Sequence, residues 1–70
     1  MNINEFKDEV VRNGMILEEF SSRVGIARAT LYRRFKEPDS FTLGEITNIS
    51  ETLKLTNERV INIFFNEKVS

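Results

Sequence analysis

Between Phe20 and Lys36 the chain carries Arg23, Arg28, Arg33, Arg34 and Lys36 and not one Asp or Glu. That stretch holds +5 and the rest of the 70 residues holds −6, so a formal net charge of −1 conceals a local asymmetry. A guanidinium group is a planar fork that bonds phosphate oxygens, or O6 and N7 of guanine, through two parallel N–H donors. Clustered basic residues of this kind are the electrostatic footprint of phosphate recognition. The acidic remainder argues against indiscriminate coating of nucleic acid, where backbone neutralisation dominates, and is compatible with a small, localised groove contact. The bland alternative is a solvated helix face whose arginines pair with Glu18, Glu19 or Glu37.

Little other chemistry is available. The chain has no His and no Cys, which excludes Ser-His-Asp and Cys-His catalysis, thiolate metal sites and a disulfide framework. No glycine-rich phosphate cradle is present. Glu5, Asp8, Glu9, Glu18 and Glu19 are conceivable acid/base groups, but they read as a solvated helix face, so no enzyme, metal or cofactor is expected. The lack of Cys suits a cytoplasmic protein. No run approaches the ~18 apolar residues of a membrane span, and residues 1–5 lack the basic and apolar stretches of a secretory signal.

The elements that must position the basic cluster read as five short helices in a single domain covering residues 1–70. Apolar residues make up 40% of the chain, with 3 Gly and 1 Pro as punctuation. Ile3, Phe6 and Val10 mark one face of a first helix from Asn4 to Asn13, with Asn2 or Asn4 as its cap and Gly14 as its left-handed stop. A second helix covers Leu17 to Val24, with Ile16, Phe20 and Val24 on one side and Gly25 ending it. A third covers Ala27 to about Lys36, with Leu31 and Phe35 inward, and is broken by Glu37-Pro38-Asp39-Ser40.

Thr42-Leu43-Gly44-Glu45 is a capping box that opens a fourth helix, with Phe41 and Ile46 spaced as a hydrophobic staple. Ile46, Ile49 and Leu53 continue its inner stripe. A fifth follows Thr56, with Leu55 and Val60 as a second staple and Val60, Ile61, Phe64 and Phe65 as its apolar side. Helices of ~8 to 12 residues are not stable alone in water, so they must share one core. The expected core is Ile3, Phe6, Val10, Ile16, Phe20, Val24, Ile26, Leu31, Phe35, Ile46, Ile49, Leu53, Val60 and Phe64.

The segment from Leu17 to Arg33 combines two short helices, a left-handed turn at Gly25, a small Ser21 where the helices cross, and a wedge of Phe20, Val24, Ile26 and Leu31. That is the physical recipe of a helix-turn-helix. Here the sequence resembles the Cro/phage-repressor (lambda-repressor-like, XRE-type) helix-turn-helix family. The family's Leu-Gly followed by Ile-Ser-Arg-Ser-Thr-Ile-Ser-Arg is matched by Val24-Gly25-Ile26-Ala27-Arg28-Ala29-Thr30-Leu31-Tyr32-Arg33. The Phe-Thr-Leu-x-Glu-Ile opening of the fourth helix and the Thr-capped fifth extend the resemblance over nearly the whole chain. Three features depart from the pattern. Leu17 stands where many relatives carry a phosphate-bonding Gln, Ile16 and Ala27 replace capping Thr and Ser, and Arg34 occupies a usually apolar position.

The resemblance implies an all-α, five-helix lambda-repressor-like domain acting as a Cro-like transcriptional regulator of a phage or prophage switch. It would read an operator in double-stranded DNA with its third helix, as a possible homodimer. Arg28, Ala29 and Arg33 match the positions that reach base edges, Ala29 offering a methyl group to thymine. Thr30 could contact phosphate or base, as could the Tyr32 hydroxyl unless the ring is packed. Arg34 and Lys36, and less directly Arg23, are placed for backbone phosphates. The N–H groups of Thr42, Leu43 and Gly44 could meet a phosphate at a helix N-terminus; Gly44 would permit close approach, or is a tolerated helix defect. An outward Ile61 or Phe65 would form a self-association or partner surface. The rival reading is a protein-binding modulator of the same fold that docks its basic helix on an acidic partner, such as a partner repressor protein.

Overall fold

The computed structural model of the protein describes residues 1–65. Among them are five α-helices and no strand: α1 (Ile3–Arg12), α2 (Leu17–Val24), α3 (Arg28–Lys36), α4 (Leu43–Leu53) and α5 (Asn57–Phe64). A 3-10 turn at Pro38–Ser40 separates α3 from α4. The starts of these helices follow from local chemistry. Asn2 accepts from the Glu5 N–H at 3.1 Å, and Thr56 from the Arg59 N–H at 3.2 Å. At α4, Thr42 and Glu45 exchange backbone-to-side-chain bonds of 3.1 and 2.9 Å, a complete capping box. At α2 only half of that device exists: Glu19 accepts from the Ile16 N–H at 3.1 Å, because Ile16 has no side-chain acceptor to offer in return.

The radius of gyration, 11.2 Å, is that of a fully collapsed chain of this length, about 11 Å. At the centre lies Phe6, wholly buried on α1. Its ring meets Phe20 of α2, Phe35 of α3 and Phe64 of α5 edge-on, at centroid distances of 5.3, 5.2 and 6.3 Å. One phenyl ring therefore joins four helices. The edge-to-face geometry sets the positive rim of one ring against the negative face of the next. Phe41 closes the cluster against Phe64 at 5.4 Å.

The structure corrects the expected core at Ile16, and adds Met15, Phe41 and Ile63 to it. Ile16 is 61% exposed, and Met15 is buried in its place. The cause is the end of α1: the Gly14 N–H donates to the Val11 carbonyl at 2.9 Å and the Met15 N–H to the Val10 carbonyl at 3.1 Å, with Gly14 at φ +73°. This Schellman arrangement carries a hydrophobic contact between its last residue and the helix, so Met15 turns inward and Ile16 points out. On α5, Ile63 is fully buried although the apolar side expected from the sequence is Val60, Ile61, Phe64 and Phe65, of which Ile61 and Phe65 are exposed. Ile3, Ile46 and Val60 are half-buried against the core. A second turn of the Schellman type ends α4, with Lys54 at φ +56° and the Leu55 N–H on the Ser50 carbonyl at 2.9 Å.

Candidate nucleic-acid interface

Residues 25–27 join α2 to α3, and every constraint on that joint is local or one contact away. Gly25 is left-handed, at φ +71°, where a side chain would strain the backbone. The N–H groups of Gly25 and Ile26 both donate to the Ser21 carbonyl, at 3.0 and 3.2 Å. In return the buried Ser21 hydroxyl donates to the Ile26 carbonyl. From α4, the Asn48 side chain donates to the Val24 carbonyl at 2.8 Å. With the Val24 and Ile26 carbonyls engaged and Phe20, Val24, Ile26 and Leu31 buried beneath it, the turn holds α3 in one direction. Sequence reasoning missed Asn48; the signal available was a poor helix former in the interior of α4.

At about 100° per residue, the exposed residues of α3 fall on one arc of roughly 140°, in the order Arg28, Tyr32, Lys36, Ala29, Arg33. Leu31 and Phe35 occupy the buried side, which adjoins Arg28, and the half-buried Arg34 lies opposite the middle of the arc. Thr30 lies between, half-buried. Among the described residues no carboxylate pairs with Arg28, Arg33, Lys36 or Arg23. Tyr32 is less free than the rest, for its ring packs edge-on against Phe35 at 5.9 Å. No side chain caps the start of α3, where Ala27 stands, and residues 27–29 are exposed.

Arg34 is different. Its Nε donates to Glu45 Oε1 at 3.1 Å and a terminal nitrogen to Oε2 at 3.0 Å, a bidentate pair that ties α3 to the first turn of α4. Hydrogen bonds from Arg34 first, and then the Thr42 backbone N–H, hold the Glu45 carboxyl below the usual carboxylate range. The charge of Arg34 thus finds its counter-charge one helix away. The acidic partners suggested by proximity in sequence (Glu18, Glu19 and Glu37) take no part among the described residues.

Thr42, Leu43 and Gly44 are exposed at the start of α4. A Cβ built on Gly44 would meet nothing closer than the Thr42 hydroxyl at 4.0 Å, so no neighbour inside the chain demands glycine there. Ile61, on α5, and Phe65, the residue that caps its end, are exposed at 57% and 58%.

The carboxylates read as solvated are not all so. Glu9 is buried, and Arg59 of α5 reaches both it and Glu5, at 2.9 and 2.7 Å, across the α1–α5 contact. These hydrogen bonds raise the Arg59 guanidinium above its ordinary value. Among the described residues no cluster of three or more His, Cys, Asp or Glu is placed to hold a metal ion. None of the described helices is long and apolar enough to cross a membrane. No protein-family profile, curated protein or solved structure matches the chain.

Proposed function

We propose that the protein is a sequence-specific DNA-binding regulator, with α2 and α3 as a lambda-repressor-like helix-turn-helix and α3 as the helix that enters the major groove. The observation that carries this reading is the exposed arc of α3, on which Arg28, Lys36 and Arg33 lie beside Tyr32 and Ala29 with no carboxylate paired to them among the described residues. A groove-reading helix needs such an arc, held rigidly, with forked donors aimed outward. The locked turn at Gly25 supplies the rigidity. In this reading Arg28 and Arg33 bond guanine edges and Ala29 meets a thymine methyl. Thr30 and Lys36 take phosphates, and the N–H groups at the starts of α3 and α4 add to the clamp.

Arg34 has a narrower part than the other cations: paired with Glu45, it sets the angle between α3 and α4 and contributes little net charge. The expected target is a palindrome bound by two chains whose α3 helices sit ~34 Å apart. Selection from a randomised duplex library tests the reading. Enrichment of an inverted repeat supports it, and recovery of no sequence above background overturns it. Lys36→Ala should weaken all duplexes alike and lower the salt slope by about one unit.

A further inference from the structure

Asn13 is followed by Gly14, and no other asparagine in the chain precedes a glycine. Asparagine is a thermolabile residue, most of all before glycine, whose backbone nitrogen has no side chain beside it to hinder attack on the asparagine amide. We infer that Asn13 is a site of spontaneous deamidation that the closed end of α1 protects, and that its conversion makes opening of the α1–α4 contact permanent. The Gly14 nitrogen loses its proton to water and bonds to Cγ of Asn13. The Cγ–Nδ2 bond breaks, and the leaving nitrogen takes a proton from water and departs as ammonia. Water then opens the cyclic imide at either carbonyl, leaving aspartate or its isomer with the main chain routed through the former side chain.

The folded chain opposes the first step in three ways. The Asn13 Nδ2 group donates to the Glu9 carbonyl at 2.8 Å and to the Leu53 carbonyl at 3.3 Å, the latter at the end of α4, where no helical N–H reaches it. The attacking nitrogen is engaged too, its N–H donating to the Val11 carbonyl at 2.9 Å. With the Asn13 ψ at +11°, the Gly14 nitrogen nearly eclipses the Asn13 nitrogen. Closing the imide ring needs it to eclipse Cβ instead, which lies far to one side on another bond of the same carbon. All three restraints lapse together when the end of α1 parts from α4, and helix ends open more readily than whole domains. Asn13 is half-buried and Gly14 exposed, so water reaches the pair.

The product does not close as before. A carboxylate replaces the donor that faced the Glu9 and Leu53 carbonyls, one turn from the Glu9 side chain and at the negative end of the α1 dipole. The isomer also lengthens the main chain by a methylene, inside the turn that carries Met15 into the core.

The proposal stands apart from DNA binding and is tested without it. The full chain is kept in mildly alkaline buffer at a series of urea concentrations, and samples are digested for peptide mass spectrometry. Peptides that exchange amide for hydroxyl at Asn13 are expected, slowest without urea and rising across the unfolding transition. The folded chain should convert at least about tenfold more slowly than the unfolded one. That comparison needs no variant. Asn13→Gln, whose longer side chain does not close the same ring, should stay unconverted at this position in urea. Wild-type chain converted in urea and returned to buffer should then unfold at lower urea than fresh chain, as should Asn13→Asp, both followed by circular dichroism. Three results overturn the inference: equal rates in the folded and unfolded chain, another asparagine converting first in urea, or a converted chain with the midpoint of the fresh one.

Discussion

Arg59 and Arg28 are the same residue type in opposite circumstances. Arg59 reaches across the α1–α5 contact to Glu5 and Glu9, one of them buried, and its guanidinium is satisfied three times over. Close by, the Asn2 N–H donates to the Ile63 carbonyl at 2.7 Å, so the start of α1 and the end of α5 are held together by polar bonds as well as by rings. Arg28 and Arg33 stand on a helix equally well anchored beneath by Leu31 and Phe35, yet their guanidinium groups meet no carboxylate among the described residues. Arg34 sits between the two cases, on the basic helix but paired with Glu45. The carboxylates that bridge helices, Glu5, Glu9 and Glu45, do so at helix contacts, and among the described residues none pairs on the exposed face of α3. A chain with more acidic than basic residues could have neutralised that face, and it does not.

The difference can be broken by mutation, beginning where both regions depend on one residue. Phe6→Ala removes the ring that joins four helices and should cost about 3–5 kcal/mol, enough to unfold a small domain at room temperature; urea denaturation followed by circular dichroism reads it. Arg59→Met comes next. It leaves the buried Glu9 carboxylate only the exposed Arg12 at 3.5 Å, and should lower the urea midpoint while leaving duplex affinity at the wild-type value. The converse holds for α3: Arg28→Ala or Arg33→Ala should leave the midpoint unchanged and cost about 1–3 kcal/mol of duplex affinity, with relaxed choice at one base pair. A pair of variants that exchanged these outcomes would erase the contrast.

Smaller effects sharpen it. Gly44→Ala has room for its methyl group and should stabilise α4 by about 0.5–1 kcal/mol. It should also weaken duplex binding if phosphate approaches the start of α4 closely, which fluorescence anisotropy measures. Acid tests the Arg34 pair. Because Glu45 titrates below its ordinary value, its stabilising contribution is full above the usual carboxylate pKa of ~4.3. That contribution is lost as pH falls through the depressed value. Thermal melts of the wild type and of Glu45→Gln should differ at neutral pH and converge in strong acid.

What could be read in advance is what the chain encodes locally. Thr42 and Glu45, Asn2, Gly14 and Gly25 act within four residues of themselves, and the helix ends fall where they point. The inward positions of long stripes, such as Phe6 with Val10 or Ile49 with Leu53, follow from the 3.6-residue period. Ile16 failed because a capping turn, rather than helical periodicity, decides which side chain at the α1–α2 joint enters the core. The clasp of Arg59 on Glu5 and Glu9, the Arg34–Glu45 pair and the Asn48 bond to Val24 join residues 54, 50, 11 and 24 apart in sequence. No periodicity encodes such meetings; they exist only once the helices are packed. The basic cluster was therefore visible as five charges, while the withdrawal of Arg34 from it was not.

Side-chain Nε–Hε resonances report each arginine separately and can be followed as a selected duplex is added to the labelled chain. The account predicts that Arg28 and Arg33 shift on binding while Arg59 stays where it is. Shifts centred on Arg59, or a duplex that leaves Arg28 and Arg33 unmoved as it binds, would contradict it.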